Sequence, residues 1–232
     1  MTILCIETST SVCSAAICKD GVPSKQCICL EGSNHARLLP RYIEELLSFA
    51  REQHLSIDAV ALSEGPGSYT GLRIGTSTAK GICYGLNIPL IPVPTLQVLC
   101  EAAKEKLYTI NHTPYTLIPM IDARRMEVYT TDADGKARAV VVENEESLIH
   151  HTPYTIHQSI YYFGDGAAKC QSVLTKPNWH FIPDIVPEAQ YVGRLANERV
   201  SELAISGEAI AYYEPYYLKE FIAAPSHVKG LS

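Results

Sequence analysis

The residues most able to do chemistry lie in a few short stretches. The longest is Glu64-Gly65-Pro66-Gly67-Ser68-Tyr69-Thr70-Gly71-Leu72-Arg73-Ile74-Gly75, a glycine-rich turn between a strand-like and a helix-like segment. Such a turn can cradle phosphate with backbone N–H groups. A Walker A loop would continue with Lys and then Ser or Thr after its last glycine; here Leu72-Arg73 follows Gly71. The dinucleotide spacing G-x-G-x-x-G is missed as well, because Gly71 stands one residue too far from Gly67. The turn therefore reads as one that launches a helix. A metallopeptidase needs two histidines at helical spacing and a base, yet the fourth residue after His35 is Leu39. His150, His151 and His157 flank Pro153 in a loop-like stretch, and no Ser or Cys sits in a nucleophile elbow. The eight cysteines include no C-x-x-C pair, and most sit in apolar runs, as core thiols do. No catalytic residue, metal site or cofactor is expected.

Composition narrows the partners. The chain has 232 residues, a net charge of -6 and 47% hydrophobic residues. A protein that grips nucleic acid unaided needs a basic face, and the longest basic clusters here are pairs such as Arg124-Arg125. Any RNA contact is expected to be indirect. The N-terminus lacks a charged region followed by a long apolar core, and no apolar run reaches membrane-spanning length. A cytoplasmic protein is the expectation.

The elements that must position these residues follow from periodicity. Residues 3–6, 13–18 and 24–30 read as strands, with Asp20-Gly21 as a hairpin turn. Residues 35–50 read as a helix, with Ser33 and Asn34 as candidate caps and Pro40 as a kink or the true start. A strand at 57–62, a helix at 71–86, a strand at 90–93 and a helix at 95–107 come next. The second half repeats the scheme more loosely, with strands at 116–121, 127–131, 137–142 and 159–163, a turn at Asp134-Gly135 and a helix at 189–205. A meander followed by crossovers gives a mixed sheet with helices packed on it. Two such units face to face make an α/β, actin-like architecture of the ASKHA, RNase H-like type. The expected lobes are 1–105 and 106–232, with the last segment able to pack back on the first lobe.

An ATPase of that architecture needs an acidic residue at the first loop, a glycine-rich second phosphate loop and a glycine turn at the adenosine. Glu7, with Thr8 and Ser9, supplies the first. The second loop offers Asp122-Ala123-Arg124-Arg125 instead of glycines, and its side chains obstruct a close approach of phosphate. Gly164-Asp165-Gly166 suits the third. Glu7, Thr8, Ser9, Asp122, Gly164 and Gly166 thus read as a vestigial nucleotide cleft.

Two helices carry more than a core requires. In 35–50, positions 39, 42, 43, 46, 47 and 50 follow the helical period, and Leu38 widens the stripe enough to suit a partner helix. In 71–86, Gly71, Gly75, Gly81 and Gly85 each cost about 1 kcal/mol of helix propensity against Ala. Close approach of another backbone would compensate, either from the protein's own sheet or from another chain.

Ile6-Glu7-Thr8-Ser9, His35-Ala36-Arg37-Leu38-Leu39-Pro40 and above all the motif from Gly65 to Gly75 resemble the TsaB (YeaZ) family. Asp122-Ala123-Arg124-Arg125-Met126-Glu127-Val128-Tyr129, Gly164-Asp165-Gly166 and Pro215-Tyr216-Tyr217-Leu218-Lys219 fit its later signatures, so the resemblance spans nearly the whole chain. Glu7 departs from the family's usual Asp. The resemblance implies a non-catalytic subunit in synthesis of N6-threonylcarbamoyladenosine on tRNA. It implies a heterodimer with the catalytic subunit TsaD, work alongside the ATPase TsaE, and pairing of two copies through the same face when alone. The helices concerned match 35–50 and 71–86, with Leu39, Tyr42, Ile43, Leu46, Arg73, Ile74, Thr78 and Ile82 as candidate contacts. The alternative is an autonomous ATPase or metallopeptidase of the glycoprotease superfamily.

Overall fold

The structure is a computed structural model and describes residues 1–32, 34–107, 115–132, 134–149 and 159–219. Ser33 and the histidines at 150, 151 and 157 lie outside the described residues.

The first half opens with β1 (Thr2–Glu7), β2 (Cys13–Lys19) and β3 (Val22–Cys29). They form an antiparallel meander, in which Glu7 pairs with Ser14 and Cys13 with Cys29. Asp20 and Gly21 both take positive φ, as the tight hairpin turn between β2 and β3 requires. Then follow α1 (His35–Glu52), β4 (Ala59–Gly65), α2 (Tyr69–Leu86), β5 (Leu90–Pro94) and α3 (Thr95–Leu107). β4 runs parallel to β1, and β5 parallel to β4, giving the order β3-β2-β1-β4-β5.

The second half contains β6 (Tyr115–Pro119), β7 (Ile121–Asp122), β8 (Glu127–Thr131), β9 (Ala137–Val141), α4 (Glu146–Ile149), β10 (Ser159–Phe163), β11 (Trp179–Ile182), α5 (Ala189–Glu198), α6 (Val200–Leu203) and α7 (Ala209–Tyr212). The strand expected at 116–121 is broken at Met120. Its first part pairs with β10 in the sheet β11-β10-β6, and its second with β8 in the sheet β7-β8-β9. Joined through the break, the order is β9-β8-(β7, β6)-β10-β11. That repeats the first half strand for strand, so the architecture is the duplicated actin-like one. The break has a visible cause. Met120 N–H bonds to the Phe163 carbonyl, and the Met120 carbonyl accepts from Gly166 N–H, so the loop after β10 clasps the strand at that point.

Alternation and periodicity explain the layers. Strands β1 and β4 are buried on both faces and are apolar nearly throughout. One face carries α1 and α2 over Leu4, Ile6, Ile17, Val60 and Leu62. The other carries α3 and α5 over Ile3, Cys5, Ala59, Ala61 and Val93. Helix α5 returns from the second half to lie on the first sheet. Gly193 permits the approach, since a Cβ there would meet Cys18 Sγ at 2.3 Å and Cys5 Sγ at 2.9 Å. The helix expected at 189–205 ends at Glu198, and after the short α6 Ile205 bridges to Leu90 at the end of the sheet. Pro40 stays inside α1, exposed, so the hydrogen bond it cannot donate leaves a carbonyl that water can reach. Asn34 takes the N-cap position without a side-chain cap bond.

Candidate functional site: a glycine motif on the first loop and an open helical face

The residues of the expected cleft come together in two groups. Glu7 ends β1 and is fully buried. Its Oε1 accepts from Ser9 N–H at 2.6 Å and Ser9 Oγ at 2.5 Å, and its Oε2 accepts from the Ser63 hydroxyl. Burial raises its pKa from the ordinary 4.5, opposed by these hydrogen bonds and reinforced by the nearby charge of Asp165. Thr8 donates its hydroxyl to the Gly71 carbonyl at 2.8 Å. Ser9 presents its carbonyl to Ser68 N–H at 2.6 Å.

The glycine motif therefore closes on its own chain. A Cβ at Gly67 would lie 2.2 Å from the Ser9 carbonyl oxygen, and one at Gly71 2.0 Å from that of Thr8. A Cβ at Gly75 would lie 2.4 Å from Thr8 Oγ1. These three glycines bring the start of α2 against the β1–β2 loop. Three N–H groups of the motif are engaged within the chain: Gly65 N–H with Thr95 Oγ1, Ser68 N–H with the Ser9 carbonyl, and Gly71 N–H with Ser68 Oγ. His35 joins the same knot. Its Nε2 sits 2.9 Å from the Thr10 carbonyl, which only accepts, so Nε2 carries the proton. Burial lowers its pKa, against the opposing effect of the bond to the Thr10 carbonyl.

The second group gathers at the broken strand. Asp122 N–H donates to Asp165 Oδ1 at 2.9 Å, and Lys169 pairs with the Asp122 carboxylate while donating to the Glu127 carbonyl at 2.7 Å. Gly164 and Gly166 are required by contact, since added Cβ atoms would meet the Met120 carbonyl oxygen at 2.2 Å and the Ile121 carbonyl carbon at 2.8 Å. Burial, then the like charge of Asp122, raises the Asp165 pKa against the bond from Asp122 N–H. Sequence reasoning missed Ser63, Thr95 and Lys169, which are isolated polar residues with no motif of their own.

Between the sheets lies a cavity of about 450 Å³ lined by Glu64, Pro66, Pro94, Thr131, Lys136 and Tyr216, among others. The C-terminal segment seals one side of it. Tyr216 N–H bonds to the Glu64 carbonyl at 2.7 Å, and the Tyr217 ring lies 4.8 Å from that of Tyr69. Gly65, at φ +119°, is needed because a Cβ would sit 2.4 Å from the Tyr216 carbonyl oxygen. Among the described residues, no group of three His, Cys, Asp or Glu could hold a metal ion, and no helix is long and apolar enough to cross a membrane.

The candidate contact residues divide by burial. Leu39, Ile43 and Leu46 point into the core beneath α1, at 0%, 8% and 0% exposure, so as candidate contacts these three are corrected: their side chains are used by the chain's own sheet. The helical stripe that most resembles a binding face is the one the sheet consumes. Tyr42, Ile74, Thr78 and Ile82 are half-buried at the edge of that core, and Arg73 is exposed. The Arg73 guanidinium reaches Tyr69 of the same helix, with Nη1 3.3 Å from its hydroxyl. The second pair of glycines behaves unlike the first. Among the described residues, a Cβ at Gly81 or Gly85 would meet nothing within 4 Å. Beside them Tyr84 is 91% and Leu86 50% exposed.

Duplicated actin-like sheets, with a glycine motif that packs the start of α2 against the β1–β2 loop, define a protein of the ASKHA fold. Comparison with known proteins places it further. The family model described as "TsaD: tRNA N6-adenosine threonylcarbamoyltransferase" matches residues 30–224. The protein named tRNA threonylcarbamoyladenosine biosynthesis protein TsaB of Escherichia coli is 28% identical over 235 residues, covering 96% of each chain. The protein of the same name from Haemophilus influenzae is 34% identical over 129 residues, a match spanning 56% of this chain and about half, 52%, of that relative. The solved structure of YeaZ from Pseudomonas aeruginosa superposes with a TM-score of 0.69 over 94% of this chain and 99% of its own, at 24% identity, and shares the fold. The chain belongs to this threonylcarbamoyltransferase family, and within it to the TsaB (YeaZ) branch.

Proposed function

We propose that this chain is a non-catalytic subunit in the synthesis of threonylcarbamoyladenosine on tRNA, and that it acts by docking a catalytic TsaD relative on the exposed faces of α1 and α2. One observation carries the reading: Gly81 and Gly85 face open space on a stripe flanked by Ile74, Thr78, Ile82, Tyr84 and Leu86. Glycine inside a helix costs about 1 kcal/mol against Ala. At Gly71 and Gly75 the close contact with Thr8 accounts for it; at Gly81 and Gly85 nothing among the described residues does. A partner helix packed against the bare backbone would. The surface beside Tyr42 offers a depression of about 560 Å³ lined by Leu38, Arg41, Glu45 and Ser48 that extends the same face.

The packing of the glycine motif on the β1–β2 loop supports the same assignment of roles. With Ser9, Thr8 and the glycine motif bonded to one another, catalysis falls to the partner, and TsaE joins through the complex. The net charge of -6 leaves tRNA to be held mainly by other subunits. In isolation two copies pair through the face that TsaD would cover, in the cytoplasm. An autonomous ATPase or peptidase is the competing reading, and turnover by the purified chain alone, with and without divalent metal, tests it directly.

The docking test uses Ile74→Asp and Ile82→Asp, both at half-buried positions on the rim. Each is expected to abolish co-purification with TsaD while the circular dichroism of the lone chain is retained. Reconstituted transfer to tRNA should fall with the loss of binding. Folded variants that still bind TsaD would exclude this face.

A further inference from the structure

Two cysteines stand directly opposite one another at the open end of the β2–β3 ladder. Cys13 is the first residue of β2, Cys29 the last of β3, and they are register partners. Directly opposed residues of an antiparallel pair point to the same face, with Cα atoms about 4.5 or 5.5 Å apart. Both separations fall inside the range of about 4.4–6.8 Å that a disulfide accepts. Cβ atoms in such pairs start about 4.5–5.5 Å apart, so closure needs a small inward movement. At the end of the ladder that movement disturbs no interior pairing.

The pair also differs in access. Cys13 is fully buried beneath α1, whereas Cys29 is partly exposed and its thiol donates to the Glu31 carbonyl at 3.1 Å. Cys5 and Cys18 lie close to each other as well, but they are sealed under Gly193 of α5 and both are fully buried. An oxidant from solution therefore meets Cys29 first and has a resolving thiol waiting one strand away.

We propose that Cys13 and Cys29 form a thiol-oxidation site that takes up a disulfide from a small-molecule disulfide such as oxidised glutathione. The Cys29 thiolate attacks one sulfur of the oxidant, its S–S bond breaks, and the leaving thiolate takes a proton from water. Cys13 then gives its proton to solvent and attacks Cys29 Sγ. The mixed disulfide breaks and the second glutathione leaves as its thiol. Two protein thiols are oxidised and one external disulfide is reduced. Burial, with smaller contributions from Cys29 and Glu7, pushes the Cys13 thiol up to about 12, so the second step is the slow one. The bond formed would tie the end of the meander beneath α1, next to Tyr42, whose hydroxyl lies within electrostatic reach of both thiols.

The test incubates the full chain with oxidised glutathione, traps free thiols by alkylation after an acid quench, and maps the products by mass spectrometry. The expected product is a peptide containing Cys13 joined to one containing Cys29. In Cys13→Ser, Cys29 should instead retain one glutathione, and in Cys29→Ser the pair should take up none. Cys27→Ser, which alters a neighbouring buried thiol, should leave the crosslink intact. Recovery of Cys13 and Cys29 both alkylated, or a glutathione that stays on Cys29 of the unaltered chain without passing to Cys13, would overturn the proposal. So would crosslinking that disappears in Cys27→Ser while persisting in Cys13→Ser.

Discussion

The same substitution at two glycines of one helix should move stability in opposite directions. At Gly81, Ala adds helix propensity and meets no neighbour among the described residues. The expected gain is about 0.8–1 kcal/mol. For a chain of this length that corresponds to a melting temperature higher by about 2–4 °C. At Gly71 the new methyl would lie 2.0 Å from the Thr8 carbonyl oxygen, whereas ordinary contact begins at 3.4 Å. Helix and loop must therefore part by about 1.4 Å, and both atoms that must move apart belong to packed segments. The bond from Thr8 Oγ1 to the Gly71 carbonyl, 2.8 Å long, lies in the same seam and is lost with the separation. Overpacking of about 1–3 kcal/mol and a hydrogen bond of about 1 kcal/mol outweigh the gain in propensity. The net loss at Gly71 is about 1–3 kcal/mol, so the two variants should differ by about 2–4 kcal/mol. Urea denaturation followed by circular dichroism reads this as midpoints shifted in opposite directions at an unchanged slope. A Gly71→Ala protein within a few tenths of the parent, or a destabilised Gly81→Ala protein, would refute the division of the glycines into an inner and an outer pair. Under the proposed docking role, Gly81→Ala should bind TsaD more weakly even as it melts higher.

Two further outcomes follow from burial. Leu46→Ala removes a fully buried side chain beneath α1 and should lower stability by about 2–5 kcal/mol, seen in the denaturation midpoint of the lone chain; partner affinity measured at temperatures where it remains folded should change little. Glu7 has a folded-state pKa above its ordinary 4.5, so between that value and the folded pKa the native state binds more protons than the unfolded state. Its contribution is therefore fully present below about pH 4.5 and is lost as pH rises through the folded pKa. Glu7→Gln keeps an oxygen for Ser9 and can donate its amide to Ser63, so it should remove this component and flatten the stability profile above pH 4.5. A profile unchanged from the parent would show that Glu7 does not carry it.

Much of the scaffold could be read from residue order. The apolar run of β1, the Asp20-Gly21 turn and the amphipathic period of α1 each state a local preference that packing does not override, and the motif from Gly65 to Gly75 carried the family. Other features depended on contacts between distant residues. Nothing local announces that the strand at 116–121 breaks at Met120, because the cause is the loop at 163–166 some forty residues away. The helix expected to run to 205 is interrupted at Arg199 and resumes as α6, and only beyond it does Ile205 pair with Leu90.

The candidate site shows the same division more sharply. The sequence by itself determined that α1 has an apolar stripe and that α2 is rich in glycine. It left undecided which side of the stripe meets the sheet and which glycines meet the protein's own backbone, because a helical period defines faces relative to one another and not relative to a neighbour. Only the tertiary structure turned Leu39, Ile43 and Leu46 inward, set Gly71 and Gly75 against Thr8, and left Gly81 and Gly85 facing solvent. The physical reason is that burial is a property of pairs of surfaces, and a single element carries only half of each pair.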